Sequence, residues 1–203
     1  MTSISIQDSK TITIDDIKYC LETQFNWNKI FGAIKDLYLD EGFQSNSDNM
    51  LRSKLFEWTI EHLSDCVYVD QQGVDFVLKL YDIIVKLEAK FQKNYFGVTK
   101  KVGNIKMKNY RGSTDNDTYE RMRNENKFDY LMIIDTAQYR IGLADRETAQ
   151  KYYYHYGDGI WTKIPHSELT MIDICPSSFT LPSSDDKFFD TIKPSYIKWV
   201  DNR

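Results

Sequence analysis

The chain has 203 residues, of which 41% are hydrophobic and 28% charged, and its formal net charge is −4. This length suits one globular domain, and only 9 Gly and 4 Pro exclude a collagen-like or low-complexity chain. No apolar run approaches the roughly 18 residues of a transmembrane helix, and the first residues lack the basic and apolar pattern of a secretory signal, so we expect a cytoplasmic protein with no membrane partner.

The first third of the chain has helical periodicity. Thr13 is a suitable N-cap, with Asp16 three residues later, for a helix that extends to about residue 25. Apolar residues recur at helical spacing over 28–39, and a third helix is predicted from about 48 to 63. The polar segment 41–47 between these two helices is predicted to be a loop.

Alternating patterns, which are typical of strands, begin after the third helix. A short strand is predicted over 66–69, and Gly73 then turns the chain. The runs 74–80 and 83–91 lie close enough in sequence to form an antiparallel hairpin, with Asp82 in its turn.

The remaining elements complete a sheet. A strand is predicted over 104–109, and the nearly continuous apolar run 128–135 indicates a central strand buried on both faces. The run 139–143 is predicted to pair with that strand, and 146–154 to form a helix across it.

This order predicts an α/β fold, a single domain in which N-terminal helices precede a central mixed β-sheet flanked by helices. Its expected parts are a mainly helical segment 1–64, a sheet core 65–143, and a helix with an irregular C-terminal part 144–203.

Charged residues of the predicted hairpin fall on one side of it. On its second strand Glu88 and Lys90 alternate with apolar residues, so they point away from the core. On its first strand Asp75 lies between two apolar residues, where an unpaired carboxylate is costly. Two carboxylates of this kind suit Mg²⁺, and an adjacent lysine can orient or deprotonate a water or stabilise charge at phosphorus.

Asp75, followed on the next strand by Glu88-Ala89-Lys90, resembles the motif of the PD-(D/E)XK nuclease superfamily, and within it the type II restriction endonucleases. The resemblance covers roughly residues 48–135. It implies a restriction-endonuclease-like fold in which Asp75 and Glu88 hold Mg²⁺ and Lys90 assists the attacking water.

The same resemblance implies a further acid on the helix before the hairpin, which Glu57 or Glu61 would supply. The chain departs from the family motif at Val74, where the family has proline. Because that proline is not a ligand, the difference weakens the match more than it weakens the chemistry.

One other interpretation of the triplet stays open, and the pattern occurs a second time in the chain. Glu88 and Lys90 are also the residues of an ordinary ion pair on an exposed sheet face. A second triplet, Glu125-Asn126-Lys127, occurs in a polar run without a strand pattern and is interpreted as surface.

A basic stripe begins inside the predicted hairpin that carries the motif. Residues 79–111 contain nine basic and two acidic side chains, a net charge of +7 against −11 for the remainder, which together give −4. A local stripe of this kind is the electrostatic signature of phosphate binding, although a lysine face on a solvated edge strand is the alternative. The residues predicted to contact DNA are Lys93, Asn94, Lys100, Lys101, Lys106, Lys108, Asn109 and Arg111.

Other chemistries lack their motifs. The three histidines show no zinc spacing, the three cysteines are widely spaced without CxxC and favour reduced thiols, and neither a nucleophile elbow nor a phosphate-binding glycine loop is present. The aromatic cluster 152–156 can stack on bases, with core or groove packing as the alternative.

We therefore predict a Mg²⁺-dependent type II restriction endonuclease that hydrolyses double-stranded DNA at a short specific sequence. A palindromic site favours a homodimer, for which the helices carrying Trp27 and Phe31 are the candidate interface. The alternatives are a junction or repair nuclease of the same fold, and a non-catalytic domain that binds DNA or protein.

Overall fold

The computed structural model describes residues 11–39, 49–71, 73–92, 95–96, 105–109, 127–135, 138–157 and 159–174. Within them the chain is mixed α/β. The helices are α1 Ile14–Gln24, α2 Trp27–Leu39, α3 Asn49–His62 and α4 Arg146–Lys151, with a single 3₁₀ turn at His166–Glu168. The strands are β1 Val67–Gln71, β2 Val74–Leu80, β3 Ile83–Gln92, β4 Ile105–Asn109, β5 Tyr130–Asp135, β6 Arg140–Asp145, β7 Tyr153–Tyr156, β8 Gly159–Thr162 and β9 Thr170–Asp173.

The start of α1 confirms the predicted cap. The Thr13 side chain accepts from the Asp16 amide at 3.3 Å, and the Asp16 carboxylate accepts from the Thr13 amide at 2.9 Å. This reciprocal capping box satisfies amides that a helix N-terminus would leave without partners. The predicted helices over 28–39 and 48–63 are likewise confirmed as α2 and α3.

The larger sheet has six strands in the order β1-β2-β3-β5-β6-β9. As predicted, β2 and β3 form an antiparallel hairpin, and β5 is a central strand whose six residues are all buried. β5 runs parallel to β3 and antiparallel to β6, so the sheet is mixed. Gly73, at φ +76°, makes the turn between β1 and β2, a conformation that glycine adopts without strain.

The strand β3 changes its pairing along its length. It pairs with β2 from Ile83 to Leu87, and from Leu87 to Gln92 it pairs with β5. Beyond Leu87 the pairing between β2 and β3 therefore ends. Polar side chains near that point are not constrained by backbone hydrogen bonds between the two strands.

Two apolar cores lie on the two faces of the larger sheet. The first contains α1, α2 and α3 residues together with Leu87 and Ala89 of β3. The second contains Leu131 and Ile133 of β5, α4, and side chains of a three-stranded sheet with the order β4-β8-β7. None of the described helices is long and apolar enough to cross a membrane.

The strand predicted over 104–109 is confirmed as β4, which pairs with β8 in the small sheet. Two predictions about this architecture are wrong in detail. The helix predicted over 146–154 ends at Lys151, because Tyr152 caps it and the chain continues as β7. Trp27 and Phe31, predicted for a dimer interface, are 4% and 3% exposed within the first core and are not available to a partner. The predicted loop 41–47 lies outside the described residues.

Candidate active site

The opening of the β2–β3 hairpin brings the predicted motif residues together. The antiparallel register ends at the pair Phe76–Leu87, and one further step along it would place Asp75 opposite Glu88. There the Asp75 carboxylate accepts a 2.8 Å hydrogen bond from the amide of Ala89, so it lies between the two strands. Glu88 and Lys90 follow on β3, on the face opposite Leu87 and Ala89, as the alternation predicts.

Glu88 is a buried carboxylate. Its exposed fraction is 4%, and one carboxylate oxygen pairs with the ammonium of Lys90. The other oxygen, Oε2, is buried and has no hydrogen-bond partner among the residues that the structure describes. An unsatisfied buried carboxylate oxygen costs free energy, and such atoms in native proteins are explained by strain, by a catalytic role or by a bound water or ion.

A third carboxylate reaches the same site from helix α3. Glu57 is 6% exposed, and its Oε2 lies 2.9 Å from the Nζ of Lys54, one turn earlier on the helix. The Nζ of Lys54 also donates to the hydroxyl of Tyr68 on β1, and it lies 4.9 Å from the centroid of the Tyr68 ring. Lys54 and Tyr68 thereby fix Glu57 near the hairpin.

The pKa values indicate that the charged groups of the site interact strongly. Burial raises the pKa of Glu88 to about 7; Lys90 opposes this shift, whereas Asp75 and Glu57 add to it. Burial and the charge of Asp75 likewise raise the pKa of Glu57, against the effect of Lys54. Burial alone would lower the pKa of Lys90, but the carboxylates of Glu88, Asp75 and Glu57 outweigh it and raise that pKa. Lys90 is therefore a cation at neutral pH.

The structure distinguishes between the two candidates for a further acid. Glu57 is buried, and its charge raises the pKa of Glu88. Glu61, one turn later on α3, is exposed, and its Oε1 accepts from the amide of Tyr68 at 3.2 Å. Glu57 is thus the acid that belongs to the cluster.

The donor set fits a hard divalent cation. Carboxylate oxygens are the ligands of Mg²⁺, which keeps several waters and needs only one or two protein carboxylates. Among the described residues no group of three or more histidine, cysteine, aspartate or glutamate side chains is arranged around one metal position. The two predicted ligands, Asp75 and Glu88, with the unsatisfied Oε2 of Glu88, fit an ion that takes its remaining ligands from water and phosphate.

The interpretation of Glu88 and Lys90 as an exposed surface pair does not agree with their burial. The two side chains do pair, but they are 6% and 22% exposed. An ion pair taken out of water gains little net stability, because desolvation offsets the Coulomb attraction. A role as an exposed surface ion pair therefore does not explain why these two residues are present.

Most of the predicted DNA contacts lie outside the described residues. The predicted contacts that lie outside them are Lys93, Asn94, Lys100, Lys101 and Arg111. Glu125 and Asn126 of the second triplet also lie outside the described residues. The backbone of Lys108 and Asn109 is described in β4, but their side chains are not. Lys106 is described, and its Nζ lies 5.6 Å from the centroid of the Trp161 ring.

One residue of the basic segment has a structural role instead. Tyr95 is 1% exposed and donates its hydroxyl to the carbonyl of Ile164 at 3.1 Å. It belongs to the second core, so it cannot face DNA.

Sequence reasoning missed Lys54 and Tyr68. The available signal was the spacing of Lys54 and Glu57, three residues apart on a predicted helix, where side chains are neighbours. Tyr68 had no such signal, because its contact with Lys54 forms only when α3 packs beside β1.

No protein-family model matches the chain, and neither a curated protein nor a solved structure is significantly similar to it. The chemistry of the site is therefore what indicates a function. It combines two acids on adjacent strands, a third acid on a helix, and a lysine held as a cation among them.

Proposed function

We propose that this protein is a Mg²⁺-dependent endodeoxyribonuclease with a restriction-endonuclease-like fold, which hydrolyses double-stranded DNA at a short specific sequence. The observation that carries the proposal is the buried Glu88–Lys90 pair beside Asp75, with Glu88 Oε2 left without a partner among the described residues. A buried, unsatisfied carboxylate next to a second one is costly for stability and suited to a cation.

The proposed roles follow from the contacts. Asp75, held by the Ala89 amide, and Glu88 would bind Mg²⁺, and Glu57 would add negative charge from the helix side. Bound Mg²⁺ would supply Lewis-acid stabilisation of the charge that develops on the phosphate and on the leaving oxygen. The surrounding carboxylates raise the pKa of Lys90, and its proposed role is to position or activate the attacking water or to stabilise charge on a phosphate oxygen.

The homodimer stays part of the proposal, although its interface must differ from the one predicted. With Trp27 and Phe31 buried, the large exposed apolar side chains near the larger sheet include Tyr81, Ile83 and Ile84 at the hairpin turn. Sedimentation velocity measures the assembly directly, and a monomer at micromolar concentration would remove this part of the proposal.

Digestion of plasmid DNA with and without Mg²⁺ tests the proposed activity. We expect discrete fragments that require the metal, since a sequence-specific enzyme cuts at fixed positions. Preference for branched DNA over the plasmid would assign a junction or repair nuclease of the same fold. Salt-sensitive binding without product in any divalent metal would assign a non-catalytic DNA-binding domain.

A pair of glutamates on α3 tests the contribution of the helix. We expect Glu57→Gln to lower the cleavage rate by about 10- to 100-fold, because it removes a negative charge that acts on the buried pair. Glu61→Gln, one turn away and exposed, should leave the rate within about twofold. Single-turnover cleavage rates measure both variants, and equal rates for the two would contradict a role for Glu57.

A further inference from the structure

The outer face of the three-stranded sheet carries aromatic rings and lysines. On β7 the Tyr153 side chain belongs to the second core, so Tyr154 and Tyr156 point away from it. On β8 Ile160 and Thr162 are buried, and Trp161 between them points outward. We call this surface the aromatic face, and its residues are Tyr152, Tyr154, Tyr156, Trp161, Lys106 and Lys163.

The strand register aligns the aromatic face into a row. Tyr154 lies opposite Trp161, and Trp161 lies opposite Lys106, so one ring from each of two strands and a lysine from the third are neighbours. The Tyr156 ring meets the Trp161 ring edge to face, with centroids 6.2 Å apart. The indole N–H of Trp161 donates to the Tyr156 carbonyl at 3.0 Å, which fixes the ring in place.

This row is open to solvent. Tyr156 is 69% exposed, and opposite it lies Gly159, which has no side chain to cover the ring. A groove of about 690 Å³ is lined by Tyr152, Tyr154, Tyr156 and Lys163. Exposed aromatic rings that are held in position by neighbours are typical of a binding surface.

The charge of the aromatic face is suited to an anion. Lys106 and Lys163 lie on it, with the Nζ of Lys106 5.6 Å from the centroid of the Trp161 ring. Among the residues that the structure describes, the acidic neighbour of this face is Glu168 at the Tyr152 end. Glu168 is paired with Lys151 at 3.3 Å and accepts from the Tyr152 hydroxyl at 2.9 Å. Its charge is thus largely compensated.

We propose that the aromatic face binds single-stranded DNA, with bases stacked on Tyr154, Tyr156 and Trp161 and phosphates close to Lys106 and Lys163. Rings and lysines arranged this way match a polyanion whose bases have free π-faces. In a duplex those faces are already stacked, so double-stranded DNA would use only the lysines. The proposal goes beyond the nuclease activity and does not depend on hydrolysis, because the aromatic face lies on the far side of the second core from the larger sheet.

Fluorescence anisotropy of the full chain in EDTA tests this proposal. The probes are a 5′-labelled oligothymidylate of about 12 nucleotides, within the span that one such surface covers, and an abasic strand of the same length and charge. We expect the protein to bind the oligothymidylate more tightly than the abasic strand. Tyr156→Ala should weaken oligothymidylate binding by about 5- to 150-fold and leave binding of the abasic strand unchanged.

The matched control is Tyr19→Ala, because Tyr19 on α1 is also 69% exposed and lies on another part of the molecule. Its affinity should equal that of the unmodified protein, and circular dichroism should show both variants folded. Equal affinity for the two probes, no effect of Tyr156→Ala, or an equal loss in Tyr19→Ala would overturn the proposal. Binding of a neutral oligosaccharide that Tyr156→Ala abolishes, without oligothymidylate binding, would also overturn it and assign the face to sugars.

The nuclease proposal is tested separately by the plasmid digest. Loss of single-strand binding in Tyr156→Ala with unchanged cleavage of duplex DNA would support both proposals as independent functions. Absence of cleavage in the unmodified protein, with single-strand binding intact, would remove only the nuclease.

Discussion

Replacement of Glu88 by glutamine should reduce Mg²⁺-dependent DNA cleavage by about 10³-fold or more. The variant keeps the shape of the side chain but removes the charge of a buried proposed metal ligand. Binding should persist, because the basic residues proposed to contact the phosphates are unchanged. We therefore expect the affinity for duplex DNA in Ca²⁺, measured by fluorescence anisotropy, to stay within about threefold of that of the unmodified protein. A tenfold change in affinity would correspond to about 1.4 kcal/mol.

Asp82→Asn is the control for this variant. Asp82 lies in the turn of the same hairpin, its side chain is fully exposed, and its partner is Lys79 at 3.2 Å. Removing that charge should leave cleavage unchanged, since surface ion pairs contribute little. Normal nicking by Glu88→Gln would refute the assignment of Glu88, and loss of cleavage in both variants would point to a general effect on the hairpin.

The stability of the metal-free protein should decrease between pH 5 and pH 8. The pKa of Glu88 is about 7 in the folded protein against an ordinary value of 4.5, so in this range the folded state binds more protons than the unfolded state. The free energy of unfolding then falls as pH rises, with the loss complete above the folded pKa. A shift of this size corresponds to a decrease on the order of 3 kcal/mol. Glu57, whose pKa is also raised, adds to the same slope.

Urea unfolding in EDTA at several pH values measures this decrease. Glu88→Gln should flatten the profile and be more stable than the unmodified protein at pH 8, because it no longer has to ionise in a buried position. Mg²⁺ should stabilise the unmodified protein more at pH 8 than at pH 5, since it binds the ionised form. A profile of the unmodified protein that runs parallel to that of Glu88→Gln would show that Glu88 ionises freely and would contradict its burial.

The hairpin and its motif were predictable because their signals are local. Alternation of apolar and charged residues places Glu88 and Lys90 on the face opposite Leu87 and Ala89, and the structure has them there. The capping box at Thr13 and the fully apolar β5 are local signals of the same kind. The end of α4 was not predictable in this way, since β7 follows it without a break and its tyrosines suit either structure.

The sequence alone therefore determined the helices and strands from α1 to β6, the motif on the β2–β3 hairpin and the residue types that suit a divalent cation. The tertiary structure decided which of Glu57 and Glu61 joins them, that Lys54 and Tyr68 hold Glu57, and that Trp27, Phe31 and Tyr95 are core residues. It also joined β4, β7 and β8 into a second sheet with an aromatic outer face. Periodicity along a chain specifies the faces of an element, whereas burial and charge coupling depend on which other element packs against each face.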